Sequence, residues 1–493
     1  MFAVLTHIAY FAVIVLLASS VPPAFLGSLE GTVNTIFIIG FLGAWRYSWA
    51  AINFTRAVIF RRVVYPRRKA KAQKKYRDEG VISHAYFLVT SYMVKPEVSL
   101  PVYRSIFEAA ANSKDGATIV SSVVDGADER LIRSIYETMP RDMSNVQLVI
   151  DRIEANGKRD AMAKVLRIIR GFCPTHRDIL VFVDGDTMVP HDIVAKSAPI
   201  FTNPKVGALT TDEAVQIERK SLYRDWFIMR FNQRQVMMCS MGLGNRVLTL
   251  TGRMSVFRAD LATNPEFIEG VDHDFLDHWR LGRVKFLTGD DKSTWFWLLK
   301  NGYEMAYLPD VQSISVEEQP RDTFLDSAQT LMVRWFGNML RTNGRAIALG
   351  PRRIGFFTWW SVMDQRISMW TTLVGPITIL LTAILHDVMV IPLYIAWVMA
   401  TRYVFCIILS MFRGTWFPVT HPLLLYFSQV FGAAVKTFVF FRLDKQKWTR
   451  QSSRGSAGAL DAMTNRIRSA EAMAHHGIAL LWLTIAIMFL TKI

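Results

Sequence analysis

Cysteine is nearly absent. Cys173, Cys239 and Cys406 are the only three in 493 residues, and they are widely spaced. Such spacing gives neither a disulfide framework nor a metal cluster, so the three are expected to be buried thiols. Acid is also scarce: 41 Asp and Glu face 57 Lys and Arg, for a formal net charge of +16. The surplus invites a nucleic-acid reading, but much of it sits in one block. Ten Lys or Arg and no acid lie between Arg56 and Arg77, directly after an apolar stretch. With no recognisable nucleic-acid-binding fold in the chain, membrane lipid of negative charge is the simpler partner for that block.

Charge is scarcest in five runs. Residues 3–19 are uncharged apart from His7, 33–53 carry only Arg46, 367–385 nothing, 388–412 only Arg402 and 477–491 nothing. Several are long enough to cross a hydrocarbon core of about 30 Å. With 51% hydrophobic residues and a mean hydropathy of +0.21, the chain is expected to be an integral membrane protein. The first run is not read as a signal peptide, because nothing basic precedes it and a second apolar run follows closely. The basic block puts the exit of the second run in the cytoplasm, and with it the N-terminus.

Residues 422–441 look like one more crossing. If they crossed, "RLDKQKWTRQSSR" would lie outside, against the positive-inside rule. The segment is therefore expected to lie at the interface, with Lys436 turned to water or to the catalytic domain. Five crossings and a periplasmic C-terminus follow from the five runs above.

The organisation expected is two N-terminal membrane helices (1–55), a basic juxtamembrane segment (56–80), a cytoplasmic domain (81–350) and a second membrane region (351–493). In the central domain, "AYFLVTSYM" (85–93), "ATIVSSVV" (117–124), "VQLVI" (146–150) and "ILVFV" (179–183) read as strands. Between them "DERLIRSIYETM" has helical spacing, and "KRDAMAKVLRIIR" sets Met162, Val165, Leu166 and Ile169 on one helical face. That β-α-β-α-β order predicts a mostly parallel, doubly wound α/β sheet.

Such sheets bind ligands beyond the carboxyl ends of their strands. Asp125 follows one strand and Asp184 ends another. Asp125 suits a helix cap as well as a ligand contact, since "DGADE" is a good helix start. "VFVDGDTMVP" likewise suits a turn, or a pair of carboxylates tolerated because a divalent ion and a phosphate arrive between them.

Six landmarks occur in order: "VVDGADE", "NGKRDAM", "VFVDGDTMVP", "TGRMSVFR", "TGDDKSTWFWLLKNGYEMAYLP" and "LMVRWFGNMLR". With them the chain resembles the processive, inverting family 2 glycosyltransferases embedded in membranes, such as cellulose and hyaluronan synthases. The resemblance implies a Rossmann-like GT-A domain inserted between N- and C-terminal membrane helices. It implies that Asp125 contacts the nucleobase or ribose, and that Lys158 lies near the nucleotide. Asp184 and Asp186 would form the Asp-x-Asp pair, with Asp186 the more direct ligand of Mg²⁺ or Mn²⁺. Asp291, beside Asp290 and followed by Lys292, would be the general base that accepts the acceptor hydroxyl proton.

Arg334 would neutralise the leaving diphosphate, and Trp335 would stack on the acceptor sugar. The usual Gln-x-x-Arg-Trp motif is incomplete, because Leu331 holds the glutamine position. "DKQKWTRQ" resembles a gating loop in which Trp448, Thr449 and Arg450 close over the donor; a basic anchor at the membrane surface is the other reading.

Over its whole length the chain is similar to the alginate-polymerising members. That implies GDP-mannuronate as donor, β-1,4-linked polymannuronate as product, translocation across a bacterial inner membrane and a cyclic di-GMP-binding partner subunit. A uronate polymer agrees with Arg46 and Arg402 inside apolar runs, although pairing within the bundle explains them too. The rival enzyme reading is a UDP-sugar synthase of hyaluronan, chitin or cellulose type. The non-enzyme rival is a scaffold or transporter of a polysaccharide complex.

Overall fold

A computed structural model describes residues 2–22, 25, 33–80, 83–446 and 459–491. Eight strands form one sheet: β1 (Ala85–Thr90), β2 (Ala117–Val123), β3 (Val146–Arg152), β4 (Ile179–Asp184), β5 (Thr187–Met188), β6 (Val206–Gln216), β7 (Met254–Arg258) and β10 (Glu304–Val316). Their order is β3-β2-β1-β4-β7-β6-β10-β5, and β8 (Phe275–His278) with β9 (Gly282–Lys285) makes a separate ribbon. The first four strands are parallel, while β7 runs antiparallel to both β4 and β6. Helices cover both faces, which is why β1 can be apolar without alternation: Ala85, Phe87, Leu88 and Val89 are all buried.

The strand read as 85–93 ends at Thr90. Met93 adopts φ +50° and is exposed, because the chain must turn away at the carboxyl edge. The helix Lys158–Gly171 buries Met162, Val165, Leu166 and Ile169, the face read from its periodicity. Register aligns Thr90 with both Ser122 and Asp184, and Val123 with Arg152. The strands therefore end together, and their carboxyl edge forms one crevice.

The helix Val33–Ile59 passes through a π-turn (Phe60–Val64) into Tyr65–Asp78, so the basic block is helical. Part of its charge is committed to protein. Arg68 donates to the Gly242 carbonyl at 3.0 Å, Lys75 to the Thr202 carbonyl at 2.8 Å, and Lys69 bonds Asp310.

Among the described residues, four helical segments are long and apolar enough to cross a membrane: Phe356–Leu385, Val390–Arg413, Thr420–Phe440 and Met463–Thr491. The chain is a membrane protein. Arg46 pairs with Asp364 at 2.5 Å, and Arg402 donates to Gln429 at 2.9 Å. Both arginines thus have partners inside the bundle.

Both ends of Thr420–Phe440 reach the catalytic domain. Thr420 donates to Asp225 at 2.7 Å, Ser428 accepts from Trp226 at 2.8 Å, and the Phe441 carbonyl accepts from Arg280 at 2.5 Å. Trp448, Thr449 and Arg450 lie outside the described residues. Cys239 and Cys406 are buried as expected, but Cys173 is exposed. It occupies the turn after Lys158–Gly171 at φ +54°, where the chain leaves the core.

Candidate active site

The two acidic motifs meet on one lysine. Lys158 opens its helix after Gly157, and its ammonium lies 2.6 Å from Asp184 and 3.1 Å from Asp290. Burial disfavours the Lys158 charge, but the two carboxylates outweigh it and hold the group charged. Asp184 is pushed up to about 7, by burial first and then by Asp186 and Asp290 against the pull of Lys158. The opening between the carboxylates is filled by a cation of the protein itself.

Local backbone makes that convergence possible. A Cβ on Gly185 would approach Ser91 Oγ to 2.9 Å and its Cα to 3.0 Å, so only glycine lets the Asp-Gly-Asp turn cross β1 there. Gly185 N–H donates to the Thr90 carbonyl, and Asp184 N–H to that of Arg253, both at 2.9 Å. The second motif begins at Gly289, with φ +82°, and runs directly into the helix Asp290–Lys300. Asp290 and Asp291 thus occupy its first turn, where the helix dipole favours negative charge.

Burial and the adjacent Asp290 push Asp291 above its ordinary value, with Lys292 and Lys158 opposing. Burial would raise Asp290 too, but Lys158 and Arg159 hold it below the usual range. The pair is thereby split into one carboxylate committed to cations and one with raised proton affinity, as a base requires. Thr249 Oγ1 lies 3.4 Å from Asp291, and the Gly252 backbone closes the cleft over Lys158, Asp184 and Asp291.

Residues 84–338 match the family described as Glycosyltransferase like family 2. The chain belongs to glycosyltransferase family 2. Two curated relatives share the name Glycosyltransferase alg8. The one from Pseudomonas syringae pv. tomato (strain ATCC BAA-871 / DC3000) is 40% identical over 449 residues, 90% of each chain. The one from Azotobacter vinelandii is 41% identical over 447 residues, 90% of this chain and 89% of that one. Among solved structures, the mannosyltransferase PcManGT from Pyrobaculum calidifontis in complex with GDP-Man and Mn²⁺ is similar at a TM-score of 0.48 and 18% identity. The match covers 78% of this chain and 98% of that one.

In this family 2 transferase the other expected residues divide into two groups. Arg334 stands within electrostatic reach of Asp184 and Asp186, and burial pushes its guanidinium down. Trp335 stacks on Trp226, with ring centroids 5.7 Å apart, beside rather than within the carboxylate cluster. Asp125 is exposed and caps the helix Gly126–Glu137, accepting from Ala127 N–H at 2.9 Å. Leu331 is buried among Trp226, Phe227 and Met332, so the usual glutamine position has become core.

Residues that motif reading did not single out brace the turn before Asp290. Arg159 donates to the carbonyls of Val271 at 2.8 Å and Thr288 at 3.1 Å, and to Ser293 at 2.8 Å. It ties the Asp290 turn to the lysine's helix. Asn338, on the helix Phe324–Ala348, accepts from Thr288 at 2.7 Å and from Arg341 at 2.6 Å. Arg159 is visible only as a second basic residue in "NGKRDAM", and Asn338 only as a polar residue in "LMVRWFGNMLR".

No group of three or more His, Cys, Asp or Glu able to hold a metal occurs among the described residues. Asp184 and Asp186 are hard oxygen donors, and an ion here would take its other ligands from diphosphate and water. That mode suits Mg²⁺, which keeps waters and binds through one or two carboxylates plus phosphates.

Proposed function

We propose that this chain is a processive, inverting glycosyltransferase that joins mannuronate units from GDP-mannuronate into β-1,4-linked polymannuronate. It would do so at the cytoplasmic face of a bacterial inner membrane and pass the polymer across. The observation that carries the reading is the convergence of Asp184, Asp290 and Lys158, with Asp291 alongside. A nucleotide-sugar transferase needs a place for diphosphate charge and a base for the acceptor within one crevice.

The acceptor hydroxyl oxygen attacks the anomeric carbon as the bond from that carbon to the diphosphate oxygen breaks. The hydroxyl proton passes to Asp291, GDP departs, and configuration at the anomeric carbon inverts. Lys158 and Arg334 balance the charge that develops on the leaving diphosphate. Asp184 and Asp186 would hold the divalent ion, which neutralises the same group.

The relatives' shared name supports the alginate reading. The same reading includes a partner subunit that binds cyclic di-GMP. It also lays Thr420–Phe440 along the interface, supported by the bonds of Thr420, Ser428 and Phe441 to the catalytic domain. Gln446 then enters the gating segment from the catalytic side, bonded to Leu287 N–H at 3.1 Å and the Lys285 carbonyl at 2.8 Å.

The deciding experiment offers GDP-mannuronate, UDP-glucuronate, UDP-N-acetylglucosamine and UDP-glucose in parallel to membranes holding the full chain and its partner subunit. Polymer and GDP from the first alone are expected. Polymer from a UDP-sugar would replace the reading, and no nucleotide release from any donor would favour the scaffold.

A further inference from the structure

Two cations beside Trp335 and Phe336 have no counter-ion among the described residues. Arg230, on the helix Leu222–Gly242, places its guanidinium 4.3 Å from the ring centre of Trp335 and 4.9 Å from that of Trp226. Lys436, on Thr420–Phe440, places its ammonium 4.7 Å from the ring centre of Phe336, the next residue along. Neither side chain has a hydrogen bond or ion pair among the described residues, and both remain partly accessible. A cation set back from bulk water normally carries a carboxylate partner, since lost hydration is costly. Ring faces return only about 0.5–2 kcal/mol of that loss.

These cations continue a row that begins in the crevice. Arg334 feels Glu317 and Arg253 first, then Asp184 and Asp186; Arg253 neighbours Arg230; Arg230 neighbours Lys436; and Lys436 feels Arg46 and Asp364. Most of the row is already matched. Arg253 pairs with Glu317 at 2.6 Å and Arg46 with Asp364 at 2.5 Å. The positive charge left over belongs to Arg230 and Lys436, at the two aromatic residues between the sheet and the membrane helices. Burial and nearby Arg253 press Arg230 down to about 10, which still leaves it protonated at neutral pH.

We propose that Arg230 and Lys436 form a carboxylate-recognition step beyond the acceptor site, gripping successive acidic sugars as their rings pass Trp335 and Phe336. The proposal deepens the reading above and rests on its acidic polymer. Arg230 and Trp226 already lie against the Trp335 ring, so a sugar passing the ring's edge can turn its carboxylate to the cation that covers the face. Charge then selects acidic polymer, while the aromatic faces tolerate sliding.

The test measures binding of a six-residue β-1,4-oligomannuronate, and of a neutral β-1,4-mannan oligomer of equal length, to the purified full chain in detergent. The wild type is expected to prefer the acidic oligomer by about thirty-fold, with a preference that weakens as salt rises. Arg230→Met and Lys436→Met should each lower acidic-oligomer affinity about ten-fold and leave neutral-oligomer affinity unchanged. Arg230→Lys and Lys436→Arg should retain most of the preference.

Met variants that keep the full preference, or weaken both oligomers alike, would overturn the proposal. If the donor panel still selects GDP-mannuronate in that event, the proposed function survives and only this step is lost. A wild type that polymerises a neutral sugar and binds the neutral oligomer better would overturn both.

Discussion

Lys158 and Lys436 are both lysines set back from bulk water, and the protein holds them in opposite ways. Lys158 lies between two carboxylates at 2.6 and 3.1 Å. Lys436 lies over a phenyl ring, with two arginines in electrostatic reach and a single acid that is already paired. In the crevice, protein acid and protein base cancel until a donor arrives, so the site is preorganised but neutralised. Beside Phe336 the charge is left open among the described residues. The difference teaches where the protein answers its own charges and where it leaves them for a ligand.

The comparison breaks most completely if the crevice carboxylates are not catalytic. Asp291→Asn is expected to lower turnover by about a thousand-fold, within the range for loss of a general base. Donor affinity, read by titration with GDP-mannuronate, should stay within about two-fold. EDTA should also stop synthesis, Mg²⁺ or Mn²⁺ should restore it, and Asp186→Ala should not recover with excess metal. Near-normal polymer from Asp291→Asn would remove the base, and synthesis under rigorous chelation would return the Asp-Gly-Asp turn to a purely structural role.

Matched substitutions sharpen the contrast. Lys158→Met leaves Asp184 and Asp290 facing each other without their cation. A fully buried pair broken this way costs about 3–5 kcal/mol. Residual solvent at Asp184, 28% exposed, should bring the loss of unfolding stability nearer about 2 kcal/mol. Lys436→Met removes a cation with no counter-ion and should leave stability unchanged or slightly higher. Thermal melts of both variants without donor or polymer read the difference directly, and equal losses would erase the distinction.

Most of the crevice was legible in the sequence because its chemistry is concentrated in short motifs. Asp184, Asp290, Asp291 and Lys158 were each singled out, and the α/β order that aligns their strands followed from alternating periodicities. What the motifs could not show is that Lys158 bridges the two acidic pairs, since that depends on where two separate helices begin. Arg230 was invisible for a related reason. It sits in "DWFIMRFNQRQ", a helix whose meaning comes from rings on other segments.

Thr420–Phe440 has the length and hydropathy of a crossing helix. The basic segment after it and its bonds to the catalytic domain are what argue for the interface position proposed above. Cys173 was misread because cysteine is usually buried, and nothing in its neighbourhood announced an exposed turn.

A smaller effect concerns pH. Asp291 acts as a base only when ionised, and its proton affinity is raised in the folded protein. Turnover should therefore fall as pH drops, with a midpoint above the ordinary aspartate value of about 3.9. The conservative Asp291→Glu variant, if active, should keep an acid limb with a displaced midpoint. A wild-type profile flat down to about pH 4 would mean that another group accepts the proton.

The smallest effect separates two roles at Asp125. Its carboxylate caps Gly126–Glu137 through Ala127 N–H, and it stands at the carboxyl edge where a nucleoside would lie. Serine caps a helix about as well as aspartate but carries no carboxylate. Asp125→Ser should therefore melt like the wild type while binding GDP-mannuronate about ten-fold more weakly. Asp125→Ala should show the same affinity loss and in addition lose about 1 kcal/mol of stability, the usual cost of a missing cap. If the serine variant binds donor as tightly as the wild type, Asp125 is a helix cap and nothing more, and nucleoside recognition belongs to other residues of that edge.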